Sequence, residues 1–388
     1  MSIIPTARDY TKASVLDAVL SEAPLTRSRL IELTRLSQAT VSRKVDELRF
    51  DGFLVEQGVD AVVRRGRPST YLDVPGTAGH IVGISFGAQT TCVLATDLRG
   101  REVRHLIVPS HEGGDAETTA NWLADLVAKT SDSAEGPLRQ IVAALPGRVP
   151  NGAGRSETSA PRMNFMDSPL QNCLEDRMNA PVILESDASA SLRGILNDDA
   201  SIGNAALFML STVLAFATCT DHEIAQGRTP TFGGLGGVLY SGVGSETLDG
   251  LLSTKGLLQF SRGRGLELEG IEALWSQPQE AASRAEVMEA FTTAIVTAVG
   301  AVAVTLDPES VYFVGRLSPL VDEVLPETRR RLAQNLPVVP EIRVVSQEVG
   351  LSVARGAAQG GLALAQSRLR ESMLEPSRES QKPVAGKK

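Results

Sequence analysis

The sequence has few cysteines and no long apolar run. Its 388 residues include only three cysteines, Cys92, Cys173 and Cys219, which are too few and too scattered to form a disulfide framework. No apolar stretch reaches the roughly 18 residues that a membrane span requires, and the N-terminus lacks the basic and apolar regions of a secretory signal. We therefore expect a protein of the reducing cytoplasm that does not bind membranes.

Positive charge is also in deficit, with 38 Lys and Arg against 46 Asp and Glu and a net charge of −8. Such an average argues against a general nucleic-acid coat or a membrane-surface protein. The charge is unevenly distributed, because residues 1–75 hold 11 basic and 10 acidic side chains whereas the remainder holds 27 and 36. The first 75 residues are therefore expected to form a separate, slightly basic module.

That module reads as three short helices followed by a hairpin. A helical stripe runs through residues 11–21, Thr26 can cap a second helix, and Ser37 can cap a third over about 38–50. The third helix places three apolar residues on one face, Val41, Val45 and Leu48. A return strand over 70–74 completes the hairpin, and the pattern predicts a winged helix-turn-helix.

Two sets of polar side chains in this module suit double-stranded DNA. The outward residues of the third helix are of the types that read base edges in a major groove: Gln38, Ala39, Thr40, Ser42, Arg43 and Lys44. Taken alone, they could equally form an ordinary solvated face. The hairpin tip carries Arg64, Arg65 and Arg67 around a glycine, and a compact basic loop of this kind can enter a narrow minor groove. Helix and wing together predict binding to a DNA operator.

Beyond residue 80, strands and helices alternate to the end of the chain. Three strands are predicted within 80–108, a long helix over 286–306, and a small-residue helix over 352–369. The pattern is typical of an α/β region with mixed sheets in two lobes. The segment from Glu371 onward is rich in Ser, Pro and Lys, and we expect it to be a disordered tail over 371–388.

The order of short motifs in this region resembles that of the ROK family of repressors and sugar kinases. The motifs are IVGISFGAQTTCVLATDLRGREV from residue 81, Leu145-Pro146-Gly147, Ala160-Pro161, ESDASAS at 185–191, Asp307-Pro308, and GLSVARGAAQGGLALA from residue 350. The resemblance implies an actin-like, ribonuclease-H-like body of two lobes. The first would span 80–187, with 350–370 packing back on it, and the second would span 188–349.

The phosphate-binding loops of the family's kinases are altered in this chain. Ser85 and Thr90 stand where the resemblance implies an Asp and a Lys in the first loop. The second loop, which is Gly-Thr-Gly-rich in the kinases, reads STVLAF at 211–216 and ends in Phe216; the third keeps only Gly315. Bulky side chains would fill the space that a phosphate needs. We expect no ATP-dependent catalysis and no cofactor.

The family's sugar and metal sites are also reduced. Asp187 matches the family's catalytic base, although a lone carboxylate there could simply cap the following helix. The family's Gly-Glu-x-Gly-His motif reads GGLGG at 233–237, and residues 238–248 contain no Cys or His, so we expect no zinc site. The spacing of Cys219 and His222 is interpreted as coincidental. A candidate effector pocket remains, comprising Arg162, Asn164, Asp187 and Asp249.

The sequence thus predicts a cytoplasmic, nucleoid-associated transcriptional regulator, a repressor, with a catalytically inactive ROK-like body. The body would form a dimer or a dimer of dimers that pairs two winged helices on a pseudo-palindromic operator, and it would bind a carbohydrate-like effector. Two alternatives remain: a sugar kinase of the ROK family that carries a DNA-binding domain, and a regulator whose body binds another protein.

Overall fold

The computed structural model describes residues 7–59, 70–111, 115–147, 170–227, 229, 231–239, 246–278, 280–345 and 349–374. Its N-terminal part contains three helices and a small antiparallel sheet with strand order β1-β3-β2. These elements are α1 (Ala7–Glu22), β1 (Leu25–Thr26), α2 (Arg27–Thr34), α3 (Gln38–Phe50), β2 (Val55–Val59) and β3 (Thr70–Asp73).

The next part is a five-stranded sheet with order β6-β5-β4-β7-β8, in which the first three strands are antiparallel and the last three parallel. Its elements are β4 (His80–Phe86), β5 (Thr90–Asp97), β6 (Glu102–Pro109), α4 (Ala116–Ser131), β7 (Leu138–Leu145), α5 (Leu170–Met178), β8 (Val182–Ser186) and α6 (Asp187–Asp198). Every residue of β4 is buried, because helices cover both faces of the sheet at its centre.

A second five-stranded sheet has the order β11-β10-β9-β12-β13 and the same mixture of antiparallel and parallel pairs. Its elements are β9 (Ala205–Leu210), β10 (Leu214–Thr220), β11 (Glu223–Ile224), α7 (Leu248–Leu252), α8 (Thr254–Gly263), α9 (Ala273–Ser276), α10 (Ala281–Leu306), β12 (Ser310–Val314), α11 (Ser318–Asn335), β13 (Glu341–Val345) and α12 (Val349–Leu374). The repeated strand order confirms the predicted α/β body of two lobes with mixed sheets.

Helix α10 is long and apolar enough that its length and composition alone would allow it to cross a membrane. Half of its most apolar stretch is buried inside the protein. Phe291, Ile295 and Val299 lie in the core of the second sheet together with Phe208 and Phe313. We therefore interpret α10 as the core helix of the second lobe.

Helix α12 packs back on the first lobe at very short range, where glycines replace larger side chains. A Cβ atom added to Gly83 of β4 would lie 2.1 Å from the Ala354 carbonyl oxygen, and one added to Gly356 would lie 1.8 Å from the Ala190 carbonyl oxygen. The backbones of β4, α6 and α12 can therefore approach one another only if these positions are glycine.

The far end of α12 belongs to the core of the N-terminal part. Ala365, Leu369 and Met373 pack with buried residues of α1, α2 and α3, and Arg370 forms an ion pair with Asp17 of α1 at 2.9 Å. These contacts explain why α12 continues to Leu374, past the predicted start of the tail at Glu371. The rest of the predicted tail lies outside the described residues.

Candidate functional site

The N-terminal helices are held by the caps that the sequence predicts. The Thr26 hydroxyl oxygen accepts a hydrogen bond from the Arg29 backbone N–H at 3.3 Å, and the Ser37 hydroxyl oxygen accepts one from Thr40 N–H at 3.2 Å. Between them, Arg35 adopts a left-handed conformation with φ 55° and ends α2. The short turn that results joins α2 to α3 as in a helix-turn-helix.

The predicted reading residues of α3 lie on the side opposite its buried stripe. Gln38, Ala39 and Arg43 are exposed, whereas Thr40 and Ser42 are half-buried. The side chain of Arg43 is 62% exposed and its Nε lies 3.9 Å from a carboxylate oxygen of Glu47. This face can reach bases from solvent without any rearrangement of the helix.

Lys44 is the exception, and its predicted outward position is wrong. Its side chain is only 1% exposed, and its Nζ donates a hydrogen bond to Glu47 at 2.7 Å. Position 44 completes the i, i+3, i+4, i+7 pattern of Val41, Val45 and Leu48, so it falls on the inward face of the helix. The charge is tolerated there because the long aliphatic stem is buried while the ammonium group is paired.

The wing residues Arg64, Arg65 and Arg67 lie outside the described residues, and the structure describes only the two strands that flank them. Strands β2 and β3 pair in antiparallel register, with Val59 opposite Thr70.

A cavity of about 390 Å³ lies between the two lobes of the body. One wall comes from β8, α6 and Gly147, and the other from β10 and the segments that follow it. The lining mixes apolar and polar side chains, among them Leu184, Leu214, Phe216, Phe232, Glu185, Arg193, Gln226, Thr229, Thr247 and Asp249. Its size is suitable for a small molecule.

The charged groups of this cavity are already engaged with the protein. Both oxygens of Glu185 accept hydrogen bonds from the Arg193 guanidinium at 2.8 Å, and Arg193 also donates to the Gly356 carbonyl oxygen of α12 at 3.1 Å. Asp249 accepts from the Leu214 backbone N–H at 2.7 Å. The ion pair was not anticipated from the sequence, because Glu185 and Arg193 are eight residues apart on a strand and a helix.

Asp187 lies at the first position of α6, next to the cavity wall. One carboxylate oxygen accepts from the Ala188 backbone N–H at 2.8 Å, and the Gly147 backbone N–H is a further donor. Burial raises the pKa of this carboxyl to about 7, and those hydrogen bonds offset only part of the shift. The contacts agree with the interpretation of Asp187 as a group that stabilises the start of the helix. Of the four predicted pocket residues, Asp249 lines the cavity, Asp187 adjoins it through Gly147, and Arg162 and Asn164 lie outside the described residues.

The altered phosphate loops are filled by the protein's own groups. Phe216 lines the cavity and packs against Phe208 with ring centroids 5.2 Å apart. Gly315, with φ 108°, has a packing role, since a Cβ atom there would lie 2.5 Å from the Leu210 carbonyl oxygen. Arg316 beside it pairs with Glu272. A phosphate entering along these strands would meet an aromatic ring.

Cys219 and His222 belong to the tight turn between β10 and β11. The His222 backbone N–H and the Cys219 thiol both donate to the Gly203 carbonyl oxygen, at 2.9 and 3.5 Å. Within the described part of the chain, no group of three or more His, Cys, Asp or Glu side chains is placed to hold a metal ion.

Comparison with known proteins places this fold in a family. The family model described as "ROK family" matches residues 81–368. The chain is 26% identical over 190 residues to a xylose repressor of Caldicellulosiruptor bescii, covering 48% of this chain and 47% of the relative. It is 26% identical over 232 residues to a xylose repressor of Bacillus subtilis, covering 57% and 58%, and 30% identical over 191 residues to a transcriptional regulator of Mycobacterium bovis, covering 47% and 41%.

Two solved structures show the same fold. A ROK family transcriptional regulator, described as a homologue of the Escherichia coli Mlc protein, superposes with a TM-score of 0.73 at 16% identity over 95% of this chain and 99% of that one. A ROK hexokinase from Thermus thermophilus superposes with a TM-score of 0.63 at 19% identity over 74% and 99%. The chain spans about half the length of the curated relatives that it matches. Because the family model covers most of its length, the chain belongs to the ROK family.

Proposed function

We propose that this protein is a sequence-specific DNA-binding transcriptional regulator, a repressor, whose ROK body is catalytically inactive. The observation that carries the proposal is the capped helix-turn-helix, which presents the polar face of α3 to solvent and packs directly on the body through α12. The names of the relatives, xylose repressors and transcriptional regulators, support it.

The residues proposed to contact DNA are those of the exposed α3 face and the wing: Gln38, Ala39, Thr40, Ser42, Arg43, Arg64, Arg65 and Arg67. Lys44 is left out, because its side chain is buried and paired with Glu47. Arg43 would contact a guanine or a phosphate, and the wing arginines would neutralise phosphates beside the minor groove.

Equilibrium titration of the full chain with duplexes from genome-wide footprinting tests this assignment. Arg43→Ala should weaken binding and change base preference, whereas removal of a wing charge should mainly lower the salt slope, by about 0.9 for each lost phosphate contact on B-DNA. Arg330→Ala is the matched control, since Arg330 is similarly exposed and paired but lies on α11 of the body. Full affinity of the Arg43 and wing variants would contradict the assignment.

We further propose that the body forms a dimer and that the cavity between the lobes binds a small, carbohydrate-like effector. The cavity volume and its mixture of aromatic and hydrogen-bonding groups support this role. A thermal-shift screen of neutral sugars, with xylose included, should show stabilisation. No shift with any sugar, together with stabilisation by a protein partner, would favour the protein-interaction alternative.

The kinase alternative is weaker because the phosphate-binding space is filled. Phe216 occupies the second loop, and Asp249 accepts from the Leu214 N–H within it, so an incoming triphosphate would meet both a ring and a carboxylate. We expect no sugar-dependent ATP consumption by the purified chain. Consumption that Asp187→Asn abolishes would overturn the proposal of an inactive body.

A further inference from the structure

An acidic side chain lies in the middle of the proposed reading face. Ala39, Arg43 and Asp46 follow one another at i, i+4 and i+7 on α3, and all three are exposed. Asp46 is 63% exposed, as open as Arg43 at 62%. It lies three residues beyond Arg43, a rise of about 4.5 Å along the helix, so both side chains face the same stretch of groove.

The carboxylate of Asp46 is held in place by two arginines. Arg27, the first residue of α2, approaches its Oδ1 at 3.2 Å, and Arg49 approaches the same oxygen at 3.8 Å. Glu56 of β2 shares both arginines, at 2.8 Å from Arg27 and 3.5 Å from Arg49. The second oxygen of Asp46, Oδ2, takes part in neither ion pair.

An acid at this position has a chemical consequence for a protein that binds DNA. A carboxylate repels phosphates and the acceptor atoms of bases, so it can be accommodated in the major groove only opposite a donor. Guanine presents N7 and O6 acceptors, thymine presents O4, and adenine presents N7 beside its amino group, whereas cytosine presents its N4 amino group alone. Cytosine is therefore the base that a carboxylate fits best.

We propose that Asp46 is a specificity-determining residue that selects a cytosine in each half-site, one helical turn along the reading face from the base or phosphate contacted by Arg43. This inference rests on the proposed DNA-binding function. Arg27 and Arg49 orient the carboxylate in the free protein. Because exposed ion pairs of this kind are weak, both arginines can turn to nearby phosphates when DNA docks.

The test is selection from random duplexes by the full chain and by two variants, Asp46→Ala and Asp46→Asn. The parent should enrich a cytosine at one position of each half-site, and its replacement should weaken parental binding roughly tenfold, within the usual cost of one wrong base pair. Asp46→Ala should lose that preference and bind all duplexes more tightly at low salt, because a repulsive charge is gone. Asp46→Asn, which keeps the side-chain shape, should prefer adenine there.

The control is Glu32→Gln, which removes an equally exposed carboxylate from α2 that pairs with Arg29 and lies off the reading face. It should leave base preference unchanged. A merely electrostatic role for Asp46 predicts tighter binding by Asp46→Ala with the parental preference intact, and that result would overturn the inference while leaving the proposed function in place. If the parent enriches no sequence at all, both fail.

Discussion

Arg193 connects the cavity between the lobes to the last helix of the chain, because its Nη1 donates to the carbonyl oxygen of Gly356 at 3.1 Å. The same guanidinium pairs with both oxygens of Glu185 in the cavity wall. Helix α12, which carries Gly356, also contributes Leu369 and Met373 to the core shared with α1 and α3. One helix of 26 residues therefore contacts both the candidate effector cavity and the DNA-binding domain.

Gly356→Ala should separate α12 from α6 and destabilise the protein. The added Cβ would lie 1.8 Å from the Ala190 carbonyl oxygen, and backbone on both sides must shift. We expect a loss of about 1–3 kcal/mol in the free energy of unfolding, measured by urea titration, together with weaker DNA binding because α12 also supports the DNA-binding domain.

Gly263→Ala provides the control for that change. Gly263 is also helical, but a Cβ atom there meets nothing within 4 Å, so a gain of about 0.5–1 kcal/mol is expected from better helix propensity. If both substitutions had the same effect, the close contact between α6 and α12 would not be stabilising the fold.

Arg99→Ala should loosen the attachment of the N-terminal domain to the body. Arg99 donates to the Asp73 carboxylate at the end of β3, whose side chain is only 4% exposed, and to the Ala23 carbonyl oxygen. Loss of this partner leaves a buried negative charge, so we expect a cost of about 3 kcal/mol in the free energy of unfolding and faster hydrogen exchange in α1.

Arg101 approaches Asp73 as well, at 3.5 Å, but is 55% exposed. Arg101→Ala should therefore cost less than about 1 kcal/mol. Adding Asp73→Asn to Arg99→Ala should recover part of the lost stability, since it removes the unpaired charge. Equal losses for the two arginines, or no recovery in the double variant, would argue against this account.

Asp187 should make the protein less stable as pH rises between about 4 and 7. Its folded pKa of about 7 lies above the ordinary value near 4, so within this window the folded state holds a proton that the unfolded state has released. Asp187→Asn should remove that decline, with the advantage of the variant growing up to about pH 7 and constant above it. Urea titrations across this pH range measure the effect.

Asp199 offers a comparison of opposite sign. Hydrogen bonds from Ser201 hold the pKa of Asp199 below its ordinary value, so this carboxylate contributes stability above about pH 4 that is lost as pH falls. Asp199→Asn should therefore be the less stable variant at neutral pH and approach the parent in acid. The same pH profile for both variants would show that Asp187 is not shifted upward.

Local signals were sufficient to predict most of the reading head and many elements of the body. The Ser37 cap and the stripe of Val41, Val45 and Leu48 located α3 correctly. Lys44 was misplaced because its charge was given more weight than its position in the helical pattern. Asp46 was overlooked for the opposite reason, since an acid on a DNA-facing helix was assumed to be solvated.

Features that depend on tertiary contacts could not be predicted from sequence patterns. The glycines of α12 indicate close packing, but nothing local identifies Ala190 as the neighbour of Gly356. The end of α12 was missed because the polar residues around Glu371 outweighed the spacing of Leu369 and Met373, which is explained only by the contact with α1. The pairing of Glu185 with Arg193 likewise depends on how β8 meets α6.

The most direct test of the central claim is the binding of the full chain to its own genomic duplexes, measured by fluorescence anisotropy against a scrambled duplex over a range of salt concentrations. We predict that an inverted-repeat site is bound at least about a thousandfold more tightly than the scrambled duplex at physiological salt, with affinity falling as salt rises. Equal affinity for both duplexes at every salt concentration would contradict the account.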